Sequence, residues 1–253
     1  MDLTLNRVAH ASVLLDFGGP KLLTDPWFSE RQGFPGYYRG EPLGIQLADL
    51  PVLAGVASSH GHYDHYDVEA FGHYPDKAVP FAVKRGTEEK ARKVGFTNVR
   101  DLDAWETTEL GPIKVTAAPA RHFIPQVTYI FEANGFTVYF GGDTLLIPEL
   151  REVAQRFPRI DLALLPINGL MLRPMGNRKG VMNPEEAAEL TSILKPRYAV
   201  PMHYTYHGGW LGDHIILKYD GTPDRYVSAT RKAAPRTIVE VLAPGQPMPI
   251  RPA

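Results

Sequence analysis

The 253-residue chain contains no cysteine, which excludes disulfides, thiolate nucleophiles and thiolate metal ligands together. It has no charge excess either: 27 basic and 28 acidic residues leave a formal charge of −1. That balance gives no support for general binding to nucleic acid or to an anionic membrane surface. No apolar run approaches the ~20 residues that a spanning helix needs. The start, MDLTLNRVAHASVLLDFGG, lacks the basic, apolar and small-residue regions of a secretory leader. A cytoplasmic chain without a membrane span is therefore expected. No low-complexity linker or charge block divides it, so residues 1–253 are expected to form a single domain.

What remains is ample core material, with 44% of residues hydrophobic, cut into short elements by 23 glycines and 23 prolines. LTLNRVAH, SVLLDF and KLLTDP read as short strands, VLAGVASS as a buried one, and AVPFAVK and IKVTAAPA as two more. TEEKARKVGF reads as a helix with Thr87 as its cap and Gly95 as its end. Leu150, Val153, Ala154 and Phe157 mark one face of another. In NPEEAAELTSILK the pattern is fuller: Asn183 caps, Pro184 starts the helix and Glu186 completes a capping box. The chain also echoes itself. SVLLDFGGPKLLTDP and TYIFEANGFTVYFGGDT are both strand, turn, strand and then aspartate, Asp25 or Asp143, and a buried strand follows each. Two similar halves, each a sheet covered by helices, are expected.

The chemistry gathers where strands end. The stretch SSHGHYDHYD puts His60, His62, Asp64 and His65 after one strand. His122, Asp143 and His203 follow three others. Each is a short-armed nitrogen or oxygen donor preceded by an apolar run that fixes its backbone. Seven such donors exceed the roughly four that one tetrahedral zinc takes, and they suit two metals sharing a ligand. Imidazole and carboxylate favour zinc, manganese or iron over calcium. Two divalent ions are expected, with zinc ranked first and manganese or iron as alternatives.

His60-x-His62-x-Asp64-His65, followed in order by His122, Asp143 and His203, resembles the metallo-β-lactamase fold superfamily. The likeness extends to HASVLLDFGGPKLLTDP, GGDT and PMHY, and is strongest to the branch that contains ascorbate-6-phosphate lactonase and N-acylphosphatidylethanolamine phospholipase D. The resemblance implies an α/β fold, an αββα sandwich of two mixed sheets flanked by helices. It implies that His60, His62 and His122 hold one metal, that Asp64, His65 and His203 hold the other, and that Asp143 bridges them. It also suggests that Asp64 serves in catalysis by orienting the nucleophile. The expected enzyme is a metal-dependent hydrolase in which hydroxide generated at the metal pair cleaves a small ester, lactone or phosphodiester. Two alternatives stand beside it: a metal-dependent nuclease, and a non-catalytic metal-containing ligand-sensing protein.

Other residues receive weaker roles. Tyr204, Tyr206, His207 and Trp210 follow His203, and Tyr204 or His207 is a candidate to touch substrate. Arg173, Arg178 and Lys179 lie in a Gly- and Pro-containing loop suited to closing over an anionic group. GFPGYYRG is a candidate aromatic rim. His10 is expected to act in packing or through a hydrogen bond to a ligand, Asp25 to fix the loop over the site, and His73 to lie on the surface. A small-molecule substrate is expected, with no nucleic-acid partner, and the oligomeric state is left open between monomer and homo-oligomer.

Overall fold

The computed structural model describes residues 2–33 and 36–251. Its principal strands, in chain order, are β1 (Leu3–Ala9), β2 (Ser12–Asp16), β3 (Lys21–Thr24), β4 (Gly55–Ser58), β5 (Phe81–Lys84), β6 (Val99–Leu102) and β7 (Thr107–Leu110). They continue with β8 (Ile113–Ala118), β9 (Thr128–Ala133), β10 (Phe136–Phe140), β11 (Leu162–Pro166), β12 (Tyr198–Met202), β13 (Ile238–Val239) and β14 (Pro247–Ile250). The helices are α1 (Val68–Phe71), α2 (Glu88–Lys93), α3 (Leu150–Arg156), α4 (Pro184–Leu194) and α5 (Pro223–Ala233).

Two seven-stranded sheets result, in the orders β14-β1-β2-β3-β4-β5-β6 and β7-β8-β9-β10-β11-β12-β13. Each begins with three antiparallel pairings and ends with three parallel ones. The echo in the sequence is therefore a repeat of topology: β2-β3-β4 and β9-β10-β11 are the same hairpin followed by a parallel crossover. The C-terminal strand β14 makes the match complete, because it occupies beside β1 the place that β7 occupies beside β8. Its prolines 247 and 249 are tolerated on a sheet edge, where half the ladder is unpaired.

One apolar core lies between the sheets. Leu5, Val13, Leu15 and Leu22 of the first meet Val115, Tyr129, Phe131, Val138 and Leu164 of the second. The outer face of each sheet is covered by helices. Leu150 and Val153 of α3 and Ala187, Leu190 and Leu194 of α4 pack on the second sheet. Phe71 of α1 and Ala91 of α2 pack on the first. This is the expected αββα arrangement.

Local signals fared unevenly. Asn183 accepts from the Glu186 backbone N–H while the Glu186 side chain accepts from that of Asn183, so the capping box forms. Helix α5 starts with a simpler cap, in which the Thr222 side chain accepts from the Arg225 backbone N–H and Pro223 is the first helical residue. Thr87 departs from expectation: its hydroxyl donates back to the Lys84 carbonyl at 2.7 Å, and α2 has no side-chain cap. Phe34 and Pro35 of the expected aromatic rim lie outside the described residues. None of the helices among the described residues is long and apolar enough to cross a membrane.

Candidate metal centre

The C-terminal ends of three strands from each sheet converge at one place. His10 follows β1, Asp25 follows β3 and His60 to His65 follow β4. His122, Asp143 and His203 follow β8, β10 and β12. The approach is close enough to demand special backbone. Gly142 has φ +52°, and a Cβ there would lie 2.9 Å from the Ser59 side chain. His10, Asp25 and His203 all adopt positive φ, at 52°, 36° and 57°. Non-glycine residues in that region cost of order 1–3 kcal/mol each and persist where the surroundings over-determine them.

The seven motif residues come together. One donor atom from each of His60, His62, His122 and Asp143 lies within 4.8 Å of the others. In this group His62 Nδ1 is 2.9 Å from His60 Nε2 and 3.2 Å from His122 Nε2. Asp143 Oδ2 is 3.8 Å from both His60 Nε2 and His122 Nε2. A second group holds His10, Asp64, His65 and His203. Asp143 reaches into it as well, with Oδ1 3.2 Å from His65 Nε2 and Oδ2 2.9 Å from His203 Nε2.

The donor set fits divalent cations. His65 Nε2, His203 Nε2, Asp143 Oδ1 and Asp64 Oδ1 are buried with no hydrogen-bond partner among the described residues. Buried polar atoms in folded proteins are mostly paired, and an orphaned group costs about 1–3 kcal/mol. Five imidazoles and two carboxylates aimed at one another, with the far ring nitrogen of three of the imidazoles tied down, are what ligands look like. His122 Nδ1–H donates to the Gly180 carbonyl at 2.8 Å, His60 Nδ1 meets Ser59 Oγ at 2.9 Å, and His65 Nδ1 meets Asp25 Oδ2 at 2.6 Å. Such partners fix the tautomer and the ring orientation.

Titration differs between the two groups. Burial pushes His60, His62 and His122 below the ordinary histidine value of 6.5, with His62 at about 4. Burial opposes charge on His65 and His203 too, but Asp143 and its neighbouring carboxylates override it and hold both above 6.5. Burial is again overcome for the two carboxyls, by His65 and then His10 at Asp64 and by His203 and then His65 at Asp143, and both fall below the usual range.

The other residues singled out in the sequence have the following surroundings. Asp25 acts beneath the site: it is fully buried and accepts from Ser59 N at 2.7 Å, Ser59 Oγ at 2.8 Å and the His65 imidazole. The loop over the site is held instead by Asp67, whose carboxylate accepts from the backbone of Phe28 and Ser29 and from Gln32. Tyr204 packs its ring on the Arg7 guanidinium, 4.9 Å away. His207 is exposed and stacks on Tyr38 at 5.0 Å. Trp210 is 73% exposed. Arg173 donates to the Leu217 carbonyl, Lys179 pairs with Glu186, and Arg178 is exposed. His73 is on the surface as expected.

Four aromatic residues lie against the site histidines: Phe123 is 5.0 Å from His122, Trp27 is 5.3 Å from His10, and Tyr37 and Tyr206 complete the set among the described residues. The Tyr37 ring is 6.3 Å from that of His62 and stacks on Tyr206 at 5.8 Å. Tyr206 lies 6.0 Å from His203. Tyr206–His207 pairs with Tyr37–Arg39 in a small three-stranded sheet. Strands of two and three residues carry no periodicity, so nothing in the sequence announced them.

Fold and donor cluster together define a metal-binding αββα protein. The chain belongs to the beta-lactamase superfamily: the model for the superfamily domain matches residues 21–204. It is 30% identical over 200 residues to an uncharacterized protein of Mycobacterium tuberculosis, covering 73% of this chain and 53% of that one. The chain thus spans about half the length of such relatives. It is 28% identical to a UPF0173 metal-dependent hydrolase of Deinococcus radiodurans, covering 87% and 92% of the two chains. An N-acyl-phosphatidylethanolamine-hydrolyzing phospholipase D of Caenorhabditis elegans is 28% identical, covering 80% and 64%. Among solved structures, Igni18, a metallo hydrolase of Ignicoccus hospitalis, superposes with a TM-score of 0.75 over the full length of both chains at 20% identity.

Proposed function

We propose that the protein is a metal-dependent hydrolase with a dinuclear site, acting on a small ester, lactone or phosphodiester. The observation that carries this reading is the position of Asp143, whose two oxygens face histidines of both donor groups. His60, His62 and His122 would hold one ion, Asp64, His65 and His203 the other, and Asp143 both. Two divalent ions, zinc ranked first with manganese or iron as alternatives, would polarise a carbonyl or phosphoryl oxygen and acidify a water from a pKa of ~15.7 towards ~7.

The chain's own residues do the rest. Asp64 is anionic and its Oδ1 has no partner among the described residues, which suits it to orient the attacking water. The strand ends fix the donors before a substrate arrives, so no reorganisation is needed during reaction. Tyr37 and Tyr206 wall one side of the cluster with apolar surface and exclude water from it. Arg173, Arg178, Tyr204 and His207 remain the candidates for contact with the remainder of the substrate. The names of the Deinococcus and Caenorhabditis relatives support a hydrolase and leave its substrate open.

The test is metal analysis of native protein followed by a hydrolysis screen over lactones, phosphodiesters and carboxylic esters with that metal. Two ions per chain, turnover of one substrate class and its loss in Asp143→Ala are expected. Protein without stoichiometric metal, or hydrolysis unchanged by Asp143→Ala, would overturn the reading.

A further inference from the structure

We propose that His10 is an eighth metal-binding residue, a protein ligand to the second ion alongside Asp64, His65 and His203. The proposal rests on the dinuclear reading above and adds a residue outside the seven of the motif.

Four observations carry it. First, His10 Nε2, His65 Nε2 and His203 Nε2 lie 3.4, 3.5 and 3.6 Å from a common atom, Asp64 Oδ2. Donors about 2.0–2.1 Å from one four- or five-coordinate ion stand roughly 2.9–3.6 Å apart. The His10 edge matches that spacing as well as the edges of the two motif histidines do. Second, both nitrogens of His10 are buried and unpartnered among the described residues, and the residue is 0% exposed. An ordinary core histidine pairs at least one ring nitrogen, because leaving both orphaned is costly. His203 Nδ1 is orphaned in the same way, so a missing Nδ1 acceptor does not set His10 apart from a motif ligand.

Third, the backbone of His10 is locked in a strained conformation. With φ +52°, its N–H donates to Glu41 Oε1 at 2.7 Å, and that oxygen also accepts from Arg7 and from Thr205 Oγ1. Glu41 thereby ties the β1 end to the chain two residues past His203, whose ring lies 4.1 Å from that of His10. Such over-determination is found where a side chain must be aimed. Fourth, β1 and β8 are the second strands of their sheets, so His10 occupies in the first sheet the place that His122 occupies in the second. Each then serves one ion.

Metal-free protein titrated with Zn2+ against a competing chelator tests this, comparing wild type with His10→Asn. Asparagine tolerates positive φ but is too short to replace the imidazole. Two binding steps in wild type are expected, with the second weakened at least ~10-fold in the variant and the first unchanged. Equal second-step affinities in the two proteins overturn the assignment of His10 and leave the dinuclear reading intact. A single step in wild type overturns both. The 15N resonance of His10 Nε2 in wild-type protein settles the matter even where the variant fails to fold. Loss of its directly bound proton and a shift on adding the second equivalent support ligation. A proton that persists on Nε2 in the loaded protein makes His10 a hydrogen-bond donor to Asp64 and overturns the proposal.

Discussion

Asp25→Asn isolates what a buried residue beneath the metal centre contributes. The carboxylate receives three hydrogen bonds, from Ser59 N at 2.7 Å, Ser59 Oγ at 2.8 Å and His65 Nδ1 at 2.6 Å. The amide is nearly isosteric. Its oxygen keeps the bond from Ser59 N, while its NH2 faces His65 Nδ1–H and can no longer accept. The imidazole loses the partner that fixes its tautomer and turns Nε2 towards Asp64 and Asp143. Partners of this kind are worth ~10–100-fold in metal affinity. At ~1.4 kcal/mol per tenfold, the second ion is weakened by about 1.4–2.8 kcal/mol. The metal-free protein loses a charge-assisted bond as well, worth about 1.5–3 kcal/mol of stability. Stepwise Zn2+ competition titration reads the first quantity, with the first ion as internal control, and denaturant unfolding reads the second. An unchanged second-step affinity in folded Asp25→Asn protein would refute the idea that Asp25 acts through His65.

Three further outcomes follow from the structure. His65 and His203 are raised above 6.5 in the metal-free chain, so their contribution to stability is fully present below 6.5 and is lost as pH rises through their higher folded values. Metal must displace those protons, so affinity for the second ion rises with pH across that range, while affinity for the first stays flat at neutral pH because His60, His62 and His122 are already deprotonated; isothermal titration at several pH values checks both slopes. Gly142→Ala places a methyl 2.9 Å from Ser59 at φ +52°, which costs about 1–3 kcal/mol in denaturant unfolding and displaces the neighbouring Asp143.

Much of this architecture was legible in the sequence because its signals are local. The hairpins before Asp25 and Asp143 and the capping box at Asn183 each declare themselves within a dozen residues. The motif His60-x-His62-x-Asp64-His65 does so within six. The remainder depends on which distant segments meet. Arg7, His10 and Thr205 reveal their common partner, Glu41, only in three dimensions. His10 and Asp25 carry no sign in the sequence of their positive φ, since strain at a non-glycine residue is imposed by its surroundings. Asp67, the last residue of the histidine-rich stretch, anchors the Phe28–Ser29 backbone and caps α1, and the first of these roles depends on a segment some forty positions away. Tyr37 is visible in the sequence only as part of the aromatic rim GFPGYYRG, because its strand is three residues long and its value lies in stacking on Tyr206, 169 positions further along the chain by their residue numbers.

The central claim is that this chain holds two ions through a shared Asp143. Native mass spectrometry of protein reconstituted with Zn2+ tests it most directly, with Asp143→Ala measured beside wild type. The account predicts two zinc ions on wild type and impaired binding at both steps in the variant. A wild-type chain that saturates with one ion, or a variant that binds two as tightly as wild type, contradicts it.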